Sequence, residues 1–447
     1  MRRNLWDLSW PMMFSTLLFA LPSLLDGVWL GKLSFNALAA AGIAMSLRIA
    51  MISPLMALSM AGGAVVARYV GARDQENADK ATFHVVVLMV ASSGTIGVVG
   101  LLFSERLLYL VGARGEVLPL AVQYVRIIFI GLISMEMVPS LGGVFNAAGN
   151  PKVPLRVNLI VASTILLSEP FLVLGVVWFP RLGIAEIFPG LGIVGASLAL
   201  VMANTLGTLY AFYVLIRGRS AARINIHRLS LDRLMFWRII RIALPALIHR
   251  GTPNFATIVL IRFISAYGAV SLAAYNVFRR VINLAMIPCT ALARAAGTMV
   301  GQNLGAGKPQ RSERAAYIIT GTSVTIASFL VLFLALFARS IVGLFSEDPE
   351  MIGIGATIIR IMGIGQIFFM ANMAMEMGLA GAADTVSPMV INIIALWLIQ
   401  LPLVYLLSRV VGLGANGIWT ALVISLVIQC VATTARFRQG RWKFRRI

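Results

Sequence analysis

Hydrophobic residues in this chain fall in runs of about 20, the length a helix needs to cross bilayer hydrocarbon at about 1.5 Å per residue, separated by short polar, glycine-rich breaks. The runs lie at 10–31, 42–67, 82–104, 118–146, 154–178, 191–216, 243–265, 274–302, 316–340, 352–380, 387–410 and 413–435. They predict an all-α membrane protein with twelve transmembrane helices.

The pattern is duplicated. Pro11, Pro54, Gly63, Gly71, Glu116, Arg126, Gly131, Pro154 and Asn158 recur 234 residues later as Pro245, Pro288, Gly297, Gly305, Glu350, Arg360, Gly365, Pro388 and Asn392. Most of these are prolines and glycines, which set where helices start, bend and pack closely, so what has been duplicated is a shape. The offset then slips: GLGIVG at 190–195 matches GLGANG at 412–417, 222 residues on. The first copy therefore has about twelve extra residues around Pro180 to Pro189, expected outside the cell. An even number of spans per copy starts both copies from the same side. This predicts two six-helix lobes, 1–217 and 239–447, related by a pseudo-two-fold axis along the membrane normal and joined by a basic linker at 218–238 with one amphipathic stretch.

Composition agrees with a lipid environment. Apolar residues make up 59 % of the chain, against about 45–50 % in ordinary globular proteins, and mean hydropathy is +0.90. A net charge of +20 alone would suit nucleic acid, but its placement does not. The linker region holds Arg217, Arg219, Arg223, Arg228, Arg233, Arg238 and Arg241 against Asp232 alone, and the tail holds Arg436, Arg438, Arg441, Lys443, Arg445 and Arg446 with no acid. With Arg2 and Arg3 these fall on one side of the membrane, which the positive-inside rule makes cytoplasmic. The expectation is a multi-pass protein of the plasma (inner) membrane, both termini cytoplasmic, with the lipid bilayer and no nucleic acid as partner. An arginine pair before an apolar run resembles a signal peptide, but the run is long and contains Asp26, so it reads as a retained first span. Cys289 and Cys430 lie inside spans and imply neither disulfide nor metal site. With three histidines and no nucleophile or metal-ligand cluster, neither an enzyme nor a cofactor is expected. A monomer is expected.

GARDQENADKA at 71–81 follows span two, and GQNLGAGKPQRSERAA at 301–316 stands at the equivalent place in the second copy. FNAAGNPKVP at 145–154 follows span four and is matched by LAGAADTVSP at 379–388. With GLGIVGASLA and GLGANGIWTA, these stretches resemble the multidrug and toxic compound extrusion (MATE) family over nearly the whole chain. The resemblance implies a V-shaped pair of lobes, alternating access, and export of organic solutes in exchange for protons or sodium ions. The chain looks closer to the DinF-like branch than to the NorM-like one, because the acidic residue of the latter's span seven falls near Pro253.

Ionisable side chains deep in a span cost about 2.5–3.5 kcal/mol on insertion scales and are functional candidates by default. Asp26 lies 15 residues beyond Pro11 and Glu169 15 residues beyond Pro154, so both sit about 22 Å along their helices, at one depth in the first lobe. DinF-like relatives carry aspartates at both places, and here the second is Glu169 followed by Pro170. Such a pair can hold a proton and release it when a cation arrives or the lobe hydrates. A plainer role as interhelical hydrogen-bonding glue is open to both. Ile165 and Leu200 replace an asparagine and a threonine common in the family; Asn158, on nearly the same face as Glu169, and Asn204 are further candidates. So few oxygen ligands favour a proton over sodium as coupling ion.

In the second lobe Arg250, Arg262, Arg279, Arg280 and Arg294 lie within spans seven and eight, with His249 beside the first. Arg262, Arg279 and Arg280, placed near outer helix ends, are able to snorkel; facing the cleft, they and Arg48 would contact substrate and favour an anionic or zwitterionic solute. Glu136, Glu376 and Asp384 read as helix caps or inter-loop salt bridges. The 21 methionines and 23 phenylalanines suit a pliable cleft. The expected function is a secondary antiporter exporting amphipathic organic compounds; the alternative is a flippase or exporter of lipid-linked or other anionic substrates.

Overall fold

The computed structural model describes residues 2–175, 190–218 and 231–444, with side chains throughout except at 2–9 and 20–25. The extra segment around Pro180 to Pro189, the linker arginines Arg219, Arg223 and Arg228, and the terminal Arg445 and Arg446 lie outside the described residues.

Helices follow one another in the order α1 (Arg2–Leu33), α2 (Phe35–Gly71), α3 (Gln75–Val111), α4 (Val117–Ile130), α5 (Leu132–Ala147), α6 (Lys152–Leu174) and α7 (Ile193–Ile216) in the first copy. The second copy has α8 (Arg233–Ser265), α9 (Ala269–Ala285), α10 (Ile287–Gly305), α11 (Pro309–Leu336), α12 (Ala338–Gly343), α13 (Pro349–Gly381), α14 (Val386–Val410) and α15 (Gly414–Arg438). Helices are the form apolar spans must take, because no water in hydrocarbon can satisfy a free N–H or C=O. Among the described residues they make up twelve spans. Apolarity alone picks out neither α1 nor α8 as a span, and α8 is polar in its middle at His249, Arg250 and Asn254.

Two expected spans are broken. The run 118–146 is α4 and α5, bent by 57° at Gly131, and the run 274–302 is α9 and α10, bent by 56° at Met286. At Met286 the bend falls two residues before Pro288, which lacks an N–H, crowds the carbonyl four residues back and so permits a break there. At Gly131 the chain turns where α7 presses closest: a Cβ there would collide with the Val201 side chain. The linker also ends earlier than expected, since α8 begins at Arg233.

The chain divides into two compact units, one of residues 10–66 and 75–239, the other of 1–9, 67–74 and 240–447. Contacts inside each unit repeat with the sequence. Gly131 meets Val201 in one unit, and Gly365 meets Val423 in the other. Leu191 N–H donates to the Leu172 carbonyl at 2.8 Å, and Leu413 N–H donates to the Leu407 carbonyl at 3.1 Å. The second turn runs one residue later along its helix than the repeat requires. α14 absorbs that residue in π-helical turns at Ile394–Gln400 and Leu406–Val410. Within the second unit the ends of α2 and α10 cross reciprocally: a Cβ on Gly71 would strike the Gln302 carbonyl, and one on Gly305 the Arg68 carbonyl. Only glycine admits so close a backbone approach.

The tail beyond α15 is not the free basic segment its composition suggests. A short turn at Arg441–Phe444 buries Trp442, whose Nε1 donates to the Phe437 carbonyl at 2.8 Å and whose ring stacks on Phe437 at 4.5 Å. Lys443 pairs with Glu313 of α11 at 2.7 Å, and Arg436 with Asp384 at 3.4 Å.

Candidate functional site

Asp26, seven residues before the end of α1, meets Tyr124 of α4, whose hydroxyl donates to Asp26 Oδ2 at 2.8 Å. Tyr124 stands two turns before the Gly131 break. Glu169 of α6 is fully buried at 0 % exposure, and its carboxyl interacts electrostatically with both Asp26 and Tyr124. Glu169 and Asp26 lie within hydrogen-bonding reach of each other, a contact that needs a proton on one of them, and no other group bonds to either Glu169 oxygen or to Asp26 Oδ1 among the described residues. Pro170 leaves the Leu166 carbonyl, about one turn before Glu169, without its helical donor, and α6 nonetheless runs on to Leu174. The two acids placed at one depth by the sequence are thus brought together, with a phenol on Asp26 that sequence reasoning passed over. The available signal was a polar Gln123-Tyr124 step inside an apolar run.

Next to this group is a buried ion pair. Arg48 of α2 donates to Glu136 Oε1 of α5 at 2.7 Å, with side chains 13 % and 3 % exposed, and lies near enough to Tyr124 to interact with it electrostatically. Glu136 is therefore a counter-ion inside the helix bundle and not the cap or loop salt bridge expected. The break at Gly131 starts α5 only five residues before it. Asp384 does behave as expected, capping α14 through the Ser387 N–H at 3.3 Å and pairing with Arg436. Glu376 is 7 % exposed within α13 and faces His249 of α8 at 3.5 Å.

The other candidates separate. Asn158 ties α6 to α1, its amide donating to Ser15 Oγ at 2.8 Å and to the Ser15 carbonyl at 3.1 Å. Asn204 donates to the Leu200 carbonyl of its own helix at 2.7 Å. Arg279 and Arg280 are exposed on α9 and form no ion pair among the described residues.

Chemically, the first unit offers two carboxyl groups facing each other and a phenol bonded to one of them. Charging both acids with no cation nearby would leave two uncompensated ions in a water-poor place, which is costly. The arrangement suits a proton held between the two groups, or a small cation bound by their oxygens.

Comparison with known proteins places this geometry in a lineage. A family model described as MatE matches residues 11–170 and 245–406, its two matches beginning at the first repeat pair, Pro11 and Pro245. The chain is 24 % identical to a probable multidrug resistance protein, YpnP, of Bacillus subtilis, over 97 % of this chain and 94 % of that one. It is 26 % identical to a protein of Shewanella oneidensis named as an FAD transporter, over 96 % of this chain and 93 % of that one. A crystal structure of MATE in the bent conformation superposes with a TM-score of 0.87 at 23 % identity, covering 98 % of this chain and 94 % of that one.

Proposed function

This chain belongs to the MatE family of multidrug efflux transporters, and on that premise we propose that it is a proton-coupled antiporter exporting amphipathic organic compounds by alternating access. The observation that carries the reading is the Asp26–Tyr124–Glu169 group, in which a fully buried and a partly buried carboxyl face each other closely enough to share a proton. Solute enters from the cytoplasm while the pair is deprotonated and hydrated. Proton uptake from outside neutralises the pair, removes the cost of its charge, and favours the state that releases solute. Tyr124 keeps one Asp26 oxygen fixed throughout. A proton suits the site better than sodium because neutral oxygen ligands are few: one turn before Glu169 stands Ile165, itself fully buried, and the Tyr124 hydroxyl is committed to Asp26. The basic segments then lie on the cytoplasmic side of the inner membrane, with both termini inside. The name FAD transporter on one relative indicates that cargo among similar proteins is not confined to drugs.

Proteoliposomes under separately imposed pH and sodium gradients test the coupling. A pH gradient is expected to drive uptake of a fluorescent amphiphile, and Asp26→Asn to abolish that drive while the protein still inserts and purifies normally. Tyr124→Phe should retain transport with an altered pH profile. Proton-driven transport at the wild-type rate by Asp26→Asn removes the carboxyl pair from the mechanism; a response to sodium alone replaces the ion.

A further inference from the structure

Asp26 and Glu169 share more than their distance from a proline. Pro11 and Pro154, then Ser15 and Asn158 four residues on, then Asp26 and Glu169 fifteen residues on, stand at matching places of α1 and α6. The last two pairs are both in contact. Asn158 Nδ2 donates to Ser15 Oγ at 2.8 Å and to the Ser15 carbonyl at 3.1 Å, and both side chains are buried. The acids come within hydrogen-bonding reach of each other eleven residues further along each helix. Eleven residues make close to three whole turns and about 16 Å of rise, so faces that meet at the first level meet again at the second. Between the two levels the buried residues of α6 are Val161, Ala162 and Ile165, all apolar.

The second copy keeps the frame and lacks both contacts. Its matching pairs are Pro245 and Pro388, His249 and Asn392, and Leu260 and Leu403. His249 faces Glu376 of α13 instead, at 3.5 Å, and no hydrogen bond joins it to Asn392 among the described residues. The asparagine is thus common to both copies, but it holds the neighbouring helix only where acids stand three turns on. Sharing a proton makes register matter. A hydrogen bond between a carboxyl and a carboxylate spans about 2.5–2.7 Å, and sliding one helix by a single residue moves it about 1.5 Å, which breaks the bond.

We propose that Asn158, by its hold on Ser15, is a positioning residue for proton coupling, fixing α1 and α6 in the register at which Asp26 and Glu169 share a proton. This role rests on the carboxyl pair being the coupling group. Asn158 stands about 16 Å along its helix from Glu169 and acts on the acids only through the two helices. The other titratable and charged groups around the pair are Tyr124 of α4, bonded to Asp26, and the Arg48–Glu136 ion pair of α2 and α5. None of them bonds to Asn158 or Ser15, so removing the tie leaves their contacts in place.

The test is the pH dependence of gradient-driven rhodamine 6G uptake by the full chain in proteoliposomes, with the melting temperature of each variant measured beside it. Asn158→Leu removes both bonds at nearly constant volume. It is expected to move the pH midpoint of the drive about one unit toward acid, the shift that loss of one hydrogen bond of ordinary strength produces, because a carboxyl out of its partner's reach holds the proton less firmly. Ser15→Ala leaves the Ser15 carbonyl in place and should move the midpoint less, in the same direction; Ser15→Thr restores the hydroxyl and should return it to the parent value. If Asn158→Leu does not purify, the two Ser15 variants decide. A lowered melting temperature with the midpoint unmoved makes Asn158 a tie between helices and nothing more, and a raised KM for rhodamine 6G with the midpoint unmoved makes it a solute ligand; either result overturns the proposal. Asp26→Asn tells this failure from that of the coupling reading. A drive that persists in Asp26→Asn removes the pair and this role with it, whereas a drive lost in Asp26→Asn but unshifted in Asn158→Leu removes this role alone.

Discussion

By the 234-residue offset, Asp26, Arg48, Tyr124 and Glu136 of the first copy stand where the second copy has Leu260, Ile282, Ile358 and Met370. Glu169 maps onto Leu403, or onto Val404 once the residue absorbed by the π-helical turns of α14 is counted. Leu260, Ile282, Ile358, Met370 and Val404 all belong to one buried apolar cluster, with Leu403 packed against it. The same framework thus closes around an oily core in one copy and around two carboxyls, a phenol and an ion pair in the other. Folding does not require the polar set, because the second copy folds without it. What the polar set adds is chemistry, kept at the cost of holding carboxyl groups away from water.

The asymmetry also runs the other way. His249 and Arg250 of the second copy lie four and five residues beyond Pro245, whereas Asp26 lies 15 beyond Pro11. Counted along each helix by itself, the acid thus stands about ten residues further from its proline than the basic pair does from its own.

The strongest way to break the comparison is to leave one charge of the first copy alone. Arg48→Met strands Glu136, 2 % exposed, without its cation, and should destabilise the protein by about 3–5 kcal/mol, seen as a lowered melting temperature in detergent. Arg48→Ile with Glu136→Met copies the second half and should recover most of the loss. A double variant as unstable as the single one would mean that the cavity, not the charge, sets the cost.

Next in size is conversion of the coupling group itself. Asp26→Leu, Tyr124→Ile and Glu169→Leu together reproduce the apolar trio of the second copy. The triple variant should be as stable as the parent or more stable by about 1–4 kcal/mol, as when a buried polar set gives way to apolar residues of similar volume, while gradient-driven transport disappears. Unfolding of this variant would show that the acids hold α1, α4 and α6 together, and the glue role would displace the coupling role.

Much of this was legible before any coordinates. The spans follow from apolar length, since lipid leaves a backbone no alternative. The repeat offsets of 234 and 222 anticipated the paired contacts of Gly131 with Val201 and Gly365 with Val423. Equal spacing from Pro11 and Pro154 brought Asp26 and Glu169 to one depth. The breaks were not legible. Gly131 and Gly365 are the same repeat position, as are Pro54 and Pro288, yet Gly365 and Pro54 lie inside unbroken helices. Glycine and proline permit a bend, and the packing on either side decides whether it is used. The Arg48–Glu136 pair was hidden for a related reason, because it joins residues 88 apart whose facing depends on that bend.

The smallest expected effect concerns the end of the second copy, where Lys443 reaches back to Glu313 at 2.7 Å. The repeat counterpart of Glu313 is Asp79, which accepts from Gln75 of its own helix at 2.5 Å. Both Lys443 and Glu313 keep a fifth or more of their side-chain surface exposed, and ion pairs of that kind contribute at most about 1 kcal/mol. Trp442, buried on Phe437 with its indole N–H satisfied, holds the tail independently of the pair. Lys443→Ala should therefore shift the melting temperature by no more than a degree or two, an estimate on the order expected for so large a chain, and by less as salt is raised. A large, salt-insensitive loss would show that the pair, and not Trp442, holds this end of the second copy.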